Sequence, residues 1–378
     1  MVSGADIVST MMSVRPQILT VHQRLPTSGA RTVVPFELND QCYLAIPQLA
    51  TDVNMQAPHM NGGDSDTQAL IYRWQDGYFI EAEKLSVPGG EDIAFFRIGG
   101  ERFLAAASLR TGQGPYDLNV FSKIYRREGH AWAVFQEVPT FAAKHWRHFQ
   151  CEGRHFLALA QGVTIPEAVV RARHPRQSCI FEWDGRNFGH FQTLDGAWGY
   201  NWEYFELAGM GFLAYADHTS ASYLYRWDGG HFIPFQRFAE QGGRAFLFFE
   251  AGDGAWLAFA KIDGESTLYR WNGGKFVEHQ VLGGPGGREF ELIRANSGLY
   301  LVRICFIEGT PASPKTDLKS QIYQWRQGRF EIVEEFATFG GTNAAAFEVD
   351  GARFLAVSNS LTPDVRFRED TIIYRVAL

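Results

Sequence analysis

The chain reads as a succession of short apolar segments in which every second position is apolar. Turns rich in Gly, Asp and Asn break them, and no stretch carries a helical period. Two anchors recur. The first, S-x-[IL]-Y-R-W-x-x-G-x-F, appears as QALIYRWQDGYF (68–79), SKIYRREGHAW (122–132), SCIFEWDGRNF (178–188), SYLYRWDGGHF (222–232), STLYRWNGGKF (266–276), SQIYQWRQGRF (320–330) and, truncated, TIIYRV (371–376). The second, F-x-x-x-G-x-x-F-L-A, precedes each first anchor: FELNDQCYLA, FRIGGERFLA, FQCEGRHFLA, FELAGMGFLA, FEAGDGAWLA, the degraded IRANSGLYLV, and FEVDGARFLA. The aromatic residue of the first anchor falls at 72, 125, 181, 225, 269, 323 and 374, a spacing of 44 to 56 residues.

Each unit therefore predicts four strands. Strand A ends at the Phe of the second anchor, strand B is the FLA segment, strand C is the IYRW segment, and a D-G or G-G turn opens strand D. Seven such units predict an all-β, seven-bladed β-propeller of four-stranded blades. The last unit stops at Leu378 after strand C. Its missing strand D matches ILTVHQRLPTSGA (18–30) near the N-terminus, so that strand is expected to complete the last blade and close the ring, leaving no open edge. The expected organisation is an N-terminal extension over 1–17 and one propeller domain over 18–378.

Composition narrows the function classes. With 46% hydrophobic residues, 20% charged and 15% aromatic, the chain has the makings of a large core and is not disordered. A net charge of -7 argues against a phosphate-backbone partner, so no nucleic acid is expected. No apolar run reaches the roughly 18 to 20 residues of a membrane-spanning helix. The start, MVSGADIVSTMMSVRPQ, lacks a basic stretch followed by an apolar block, so a cytoplasmic location is expected, or a secreted one if the sequence is a mature form. Cys42, Cys151, Cys179 and Cys305 form neither a zinc pattern nor a dense disulfide framework.

The repeat, carried by all seven copies over about residues 18–378, resembles the epilepsy-associated repeat, EAR or EPTP. That resemblance implies a seven-bladed propeller. The family's animal members are secreted proteins that bind receptor ectodomains, which implies interaction as the function. This chain is expected to depart from them, since the sequence carries neither their N-terminal partner domains nor an obvious signal. The architecture is also similar to bacterial propellers of natural-product biosynthesis, the cyclophane-forming enzymes, which pair a propeller with a second domain. No room for that domain is expected here, and no motif of those enzymes occurs.

Candidate chemistry sits on strand A, taken to line the central channel. Count back from Phe36, Phe96, Phe149, Phe205, Phe249, Ile293 and Phe347. Four residues earlier stand Thr32, Asp92, His145, Asn201, Ala245, Glu289 and Asn343; two earlier stand Val34, Ala94, Arg147, Glu203, Leu247, Glu291 and Ala345. The intervening positions are mostly apolar, among them Trp146, Trp202, Phe246 and Phe290. Period-two alternation puts the polar set on one face, toward the channel. The Phe ring itself either plugs the lower end or turns into the core; the pattern leaves both open.

Two uses follow. Asp92, Glu203, Glu289 and Glu291 suit a hard cation such as Ca²⁺. Alternatively, Glu203, Arg147, His145 and Asp92 form an acid/base set, with a carboxyl raised by its neighbours. No organic cofactor is expected. Trp198 and Tyr200 stand nearer the mouth and are candidate ligand-stacking residues, with Asn201, Glu289, Glu291 and Asn343 beside them. Trp146 and Trp202 read as inter-blade packing.

Long B-to-C stretches at 47–67, 108–121, 161–177, 305–319 and 358–370 contrast with short ones at 217–221 and 261–265. They predict a walled face that is lower over blades four and five. GGPGG (283–287) reads as a turn rather than a phosphate loop. The basic tract 167–177, with Arg171, Arg173, His174 and Arg176, reads as a solvated loop able to meet an acidic partner. The reading that follows is a propeller that binds a protein, a glycan or a small molecule on this face. The alternative is a stand-alone enzyme acting on a small apolar or aromatic substrate at the channel mouth.

Overall fold

In the computed structural model, which describes residues 17–163, 175, 177–238, 241–252 and 254–378, seven four-stranded antiparallel sheets are arranged as blades around one channel. Their inner strands, strand A of each blade, are Val34–Leu38, Gly90–Ile98, Ala143–Cys151, Gly199–Leu207, Gly243–Ala251, Gly287–Ala295 and Gly341–Val349. No helix occurs among the described residues. Most of the predicted extension over 1–17 lies outside the described residues, as does most of the 161–177 loop with its basic tract.

The closure falls where the repeat places it. Leu19–Leu25 pairs antiparallel with Thr371–Val376, from Leu19 opposite Val376 to Leu25 opposite Thr371, and becomes strand D of blade seven. Turn chemistry behaves as expected: between Gln75 and Tyr78, Asp76 and Gly77 take φ of 52° and 85°, the left-handed pair that a two-residue hairpin requires. All four cysteines are free and buried.

The Phe ring turns into the core. Phe205 stacks on Phe248 of the next blade at 4.0 Å and meets Phe276 edge-on; Phe149 does the same with Tyr204 at 4.5 Å and with Phe232. Phe36 repeats the contact with Phe95 and Trp132. Each such ring contributes about 1.5–3 kcal/mol by burial. Trp146 and Trp202 are also wholly buried in this packing.

Among the described residues no strand of one blade pairs with a strand of the next. Main-chain bonds such as Gly242 N–H to the His218 carbonyl and Gly286 N–H to the Ile262 carbonyl join neighbouring blades at the loop end, and further along the blades the joining hydrogen bonds come from side chains. One column of strand D supplies them. Gln192 donates to the Phe232 carbonyl and accepts from its N–H, at 2.8 and 2.9 Å. Gln136 holds Phe188, Gln236 holds Phe276, Gln280 holds Phe330, and Gln23 of the N-terminal strand holds Phe79 in the same way. In blade six Glu334 takes the position and accepts from the N–H groups of Ile18 and Leu19. In blade one Glu83 instead pairs with Arg127 at 2.6 Å. The closing strand is thus held on both sides by the device that joins the other blades.

Gln236→Ala removes both bonds to Phe276 and leaves a main-chain N–H and carbonyl unmatched. Unfolding in urea should show a loss of about 2 kcal/mol; an unchanged midpoint would contradict the role given to this column.

Candidate functional site

The polar residues of strand A do line the channel, a space of about 310 Å³ whose wall includes Asp92, His145, Arg147, Asn201, Glu203, Glu289, Glu291 and Asn343. Their polar atoms, however, are largely committed. Asp92 Oδ2 accepts from the N–H of Trp146 in the next blade at 2.8 Å. His145 Nδ1 accepts from Trp202 at 3.2 Å, Asn201 Oδ1 from Phe246 at 3.0 Å, and Asn343 Oδ1 from Val33 at 3.1 Å. In each case the acceptor four residues before the Phe position meets the N–H three residues before it on the following blade. A second tier lies two residues further along. Glu291 Oε1 accepts from Ala346 at 2.8 Å, and Glu203 accepts from the N–H of Phe248 and meets Arg147 at 2.7 Å.

The expected convergence of free groups is therefore revised. Asn201 and Asn343, expected as ligand contacts, are inter-blade acceptors, and Asp92, His145 and Glu203, expected as catalytic, serve the same end. Strand A forms the innermost rim of each sheet, so a side chain on it faces the neighbouring blade as much as the channel. Glu289 lines the channel beside them. Among the described residues no group of three or more His, Cys, Asp or Glu is placed to hold a metal ion.

Enclosure shifts the titrations. Burial raises Glu289 to about 8, with Asp92, Glu203 and Glu291 adding to the effect against Arg288. Burial likewise raises Asp92 to about 7 and Glu291 to about 7, against the N–H bonds each accepts. Burial, then Arg147 and Arg288, lower His145 to about 3. A neutral ring suits an Nδ1 that accepts a hydrogen bond.

At the end of the channel where the D-to-A and B-to-C loops lie, Trp198 stacks on Tyr200 at 5.9 Å, and His218 meets both rings edge-on. All three side chains are half-buried. Asp217, wholly buried, organises this corner. Its Oδ2 accepts from the N–H groups of Ala197 and Trp198 and from the Tyr215 hydroxyl, and its Oδ1 accepts from Thr219 and Ser220. The B-to-C loops of blades four and five, beside this corner, are short.

Five residues before the Phe stand Arg31, Glu91, Lys144, Tyr200, Arg244, Arg288 and Thr342, of which the sequence singled out Tyr200 alone and alternation missed the others. In six blades a β-bulge falls at this residue, as between Gly243 and Ala245 or Gly287 and Glu289. A bulge re-aims one side chain against the parity of its strand. The small residue before it is structural: a Cβ on Gly287 would lie 2.4 Å from the Ser266 hydroxyl oxygen, and one on Gly243 2.5 Å from that of Ser222. Lys144 Nζ meets Glu91 at 3.0 Å and Arg31 Nε lies 3.6 Å from the same oxygen. Arg244, Arg288 and Lys144 stand 4.0, 4.9 and 5.2 Å from the centre of the Tyr200 ring. A G-G-x or A-A-x step before five of the seven inner strands was the available signal.

A closed ring of seven four-stranded blades, stapled through side chains, defines a seven-bladed β-propeller. The EPTP domain family matches residues 133–184, 187–228 and 231–272, from strand D of blade two to strand C of blade five. Mouse thrombospondin-type laminin G domain and EAR repeat-containing protein is 25% identical over 152 residues, 40% of this chain and 22% of the relative. Its human counterpart is 26% identical over 151 residues, 39% of this chain and again 22% of the relative. The match thus spans about a fifth of the length of these curated relatives. Over this stretch the blades are similar to EAR/EPTP repeats.

Glu289 gives a pH signature. A carboxyl whose folded pKa lies above its ordinary 4.5 stabilises the fold when protonated; that contribution is complete below about 4.5 and is lost as pH rises through about 8. His145, depressed to about 3, acts oppositely and has reached its full contribution above its ordinary 6.5. From about pH 6.5 to 8, therefore, stability should fall in urea titrations, and less steeply in Glu289→Gln. Equal slopes would refute the placement of this carboxyl.

Proposed function

We propose that the protein is a binding module that holds a protein or glycan partner on the face carrying the D-to-A and B-to-C loops, at its low side over blades four and five. The carrying observation is the half-buried corner of Trp198, Tyr200 and His218, fixed by five hydrogen bonds to Asp217 where the flanking loops are shortest. Rigid aromatic rings beside polar groups make good anchors, because they bury large area at small cost in side-chain entropy. The similarity of blades two to five to EAR/EPTP repeats supports the same direction. Among the described residues no helix is long and apolar enough to cross a membrane.

One observation favours the alternative of an enzyme acting on a small apolar or aromatic substrate. Glu289, raised to about 8, would hold a proton at neutral pH inside the channel, as a general acid must.

Screening the full chain against protein and glycan arrays separates the two. The binding reading predicts a hit that weakens at least tenfold in Trp198→Ala and is unchanged in Glu203→Gln. A hit indifferent to Trp198→Ala, or turnover of a small aromatic substrate abolished by Glu289→Gln, would overturn it.

A further inference from the structure

The bulge column holds four cations against one carboxylate, all inside the protein. Arg31, Lys144, Arg244 and Arg288 are each less than a tenth exposed, and Glu91 is 2% exposed. Glu91 engages Lys144 and Arg31. Arg244 and Arg288 have the Tyr200 ring instead, which offers a quadrupole and no countercharge.

Other buried guanidinium groups in the molecule are supplied with acceptors. Arg110 donates to Ser65 Oγ and to the carbonyls of Asn61 and Gly62; Arg303 donates to Ser266, Gln321 and the Gly284 carbonyl. In the bulge column, Arg244 Nε and Arg31 Nε have no acceptor among the described residues, and Arg244 makes one bond, at 3.2 Å, to its neighbour's carbonyl.

A buried guanidinium cannot shed its charge at neutral pH, and a desolvated cation without a partner is strongly unfavourable. The carboxyls that act on Arg244 are the exposed Asp263 and Glu91, the latter already engaged by Lys144 and Arg31, and Glu289 beside Arg288 is held toward the protonated form by burial, so the missing charge is supplied only in part. Tyr200, against which Arg244 and Arg288 stand, and its neighbours Trp198 and His218 are half-buried and so keep some contact with solvent.

We propose that this column is an oxyanion site, in which Arg31, Lys144, Arg244 and Arg288 together bind a multiply charged oxyanion (phosphate, sulfate or clustered carboxylates) beside Tyr200. Planar guanidinium forks fit such oxygens two at a time, and Lys144 adds a point charge. The site does not depend on the partner reading above: the anion is bound either free or as a group carried by a larger ligand.

Titration calorimetry of the full chain with sodium phosphate, sodium sulfate and sodium citrate, at constant ionic strength, tests it. At least one probe should bind saturably at one site. Arg244→Gln and Arg288→Gln should each weaken it at least tenfold, whereas Lys319→Gln, exposed on strand C of blade six, should not. Which probe binds tightest distinguishes a tetrahedral anion from clustered carboxylates, and binding of the free probe suffices for either source. The proposal fails if none of the three saturates, or if both arginine variants bind as the unaltered protein does. It also fails if the only response is a stabilisation that rises linearly with salt and equally in all variants, the signature of cosolute exclusion. Two arginine variants are used so that a folding defect in one leaves the other to decide.

Discussion

A hydrogen bond from one blade's side chain to the next blade's main chain is the interaction on which the molecule depends. Each sheet satisfies its own backbone internally, except along its inner and outer rims. Apolar packing between blades is strong but slides easily, because one flat aromatic layer resembles another. The strand D glutamines at the outside and the strand A acceptors at the channel give that packing a register. Since each staple reaches only the following blade, seven of them define a ring only when the ends meet. The N-terminal strand therefore carries a staple of its own, Gln23 to Phe79, and receives another from Glu334.

This reassigns the chemistry of the channel. Carboxyls, amides and an imidazole gathered around a pore look like a reactive site, and their shifted titrations strengthen that impression. Asp92, Asn201 and Asn343 do one structural task with interchangeable groups, because the N–H they meet asks only for an acceptor. A raised pKa follows from enclosure alone and marks function only in combination with an uncommitted, reachable group. Of the channel acids, Glu289 comes nearest to that combination. The bulge column above it is different in kind: it sets four cations against the single carboxylate of Glu91, and the Nε atoms of Arg31 and Arg244 have no hydrogen-bond acceptor among the described residues.

The blade count, strand order and closing strand were legible because repetition multiplies a weak signal: a single Y-R-W segment means little, seven at regular spacing mean a ring. The polar column four residues before each Phe was also legible as a column. Its purpose was not, since alternation gives the face of a strand and cannot say whether that face meets a pore or a neighbour. The Phe ring stayed undecided for the same reason and proved to be inter-blade core. The bulge column escaped because one extra residue inverts parity at that point. Arg244 and Arg288 lie on the side that alternation assigns to packing, and only the paired small residues before them betray the bulge.

Amide hydrogen exchange at Phe246 tests the central claim most directly, by comparing the unaltered protein with Asn201→Ala. If the Asn201 carboxamide is an inter-blade staple, the Phe246 N–H is strongly protected. Its exchange should then accelerate at least tenfold in the variant, while the strands within each blade keep their protection. An exchange rate at Phe246 that is the same in both proteins would show that the channel's polar side chains do not hold the blades together.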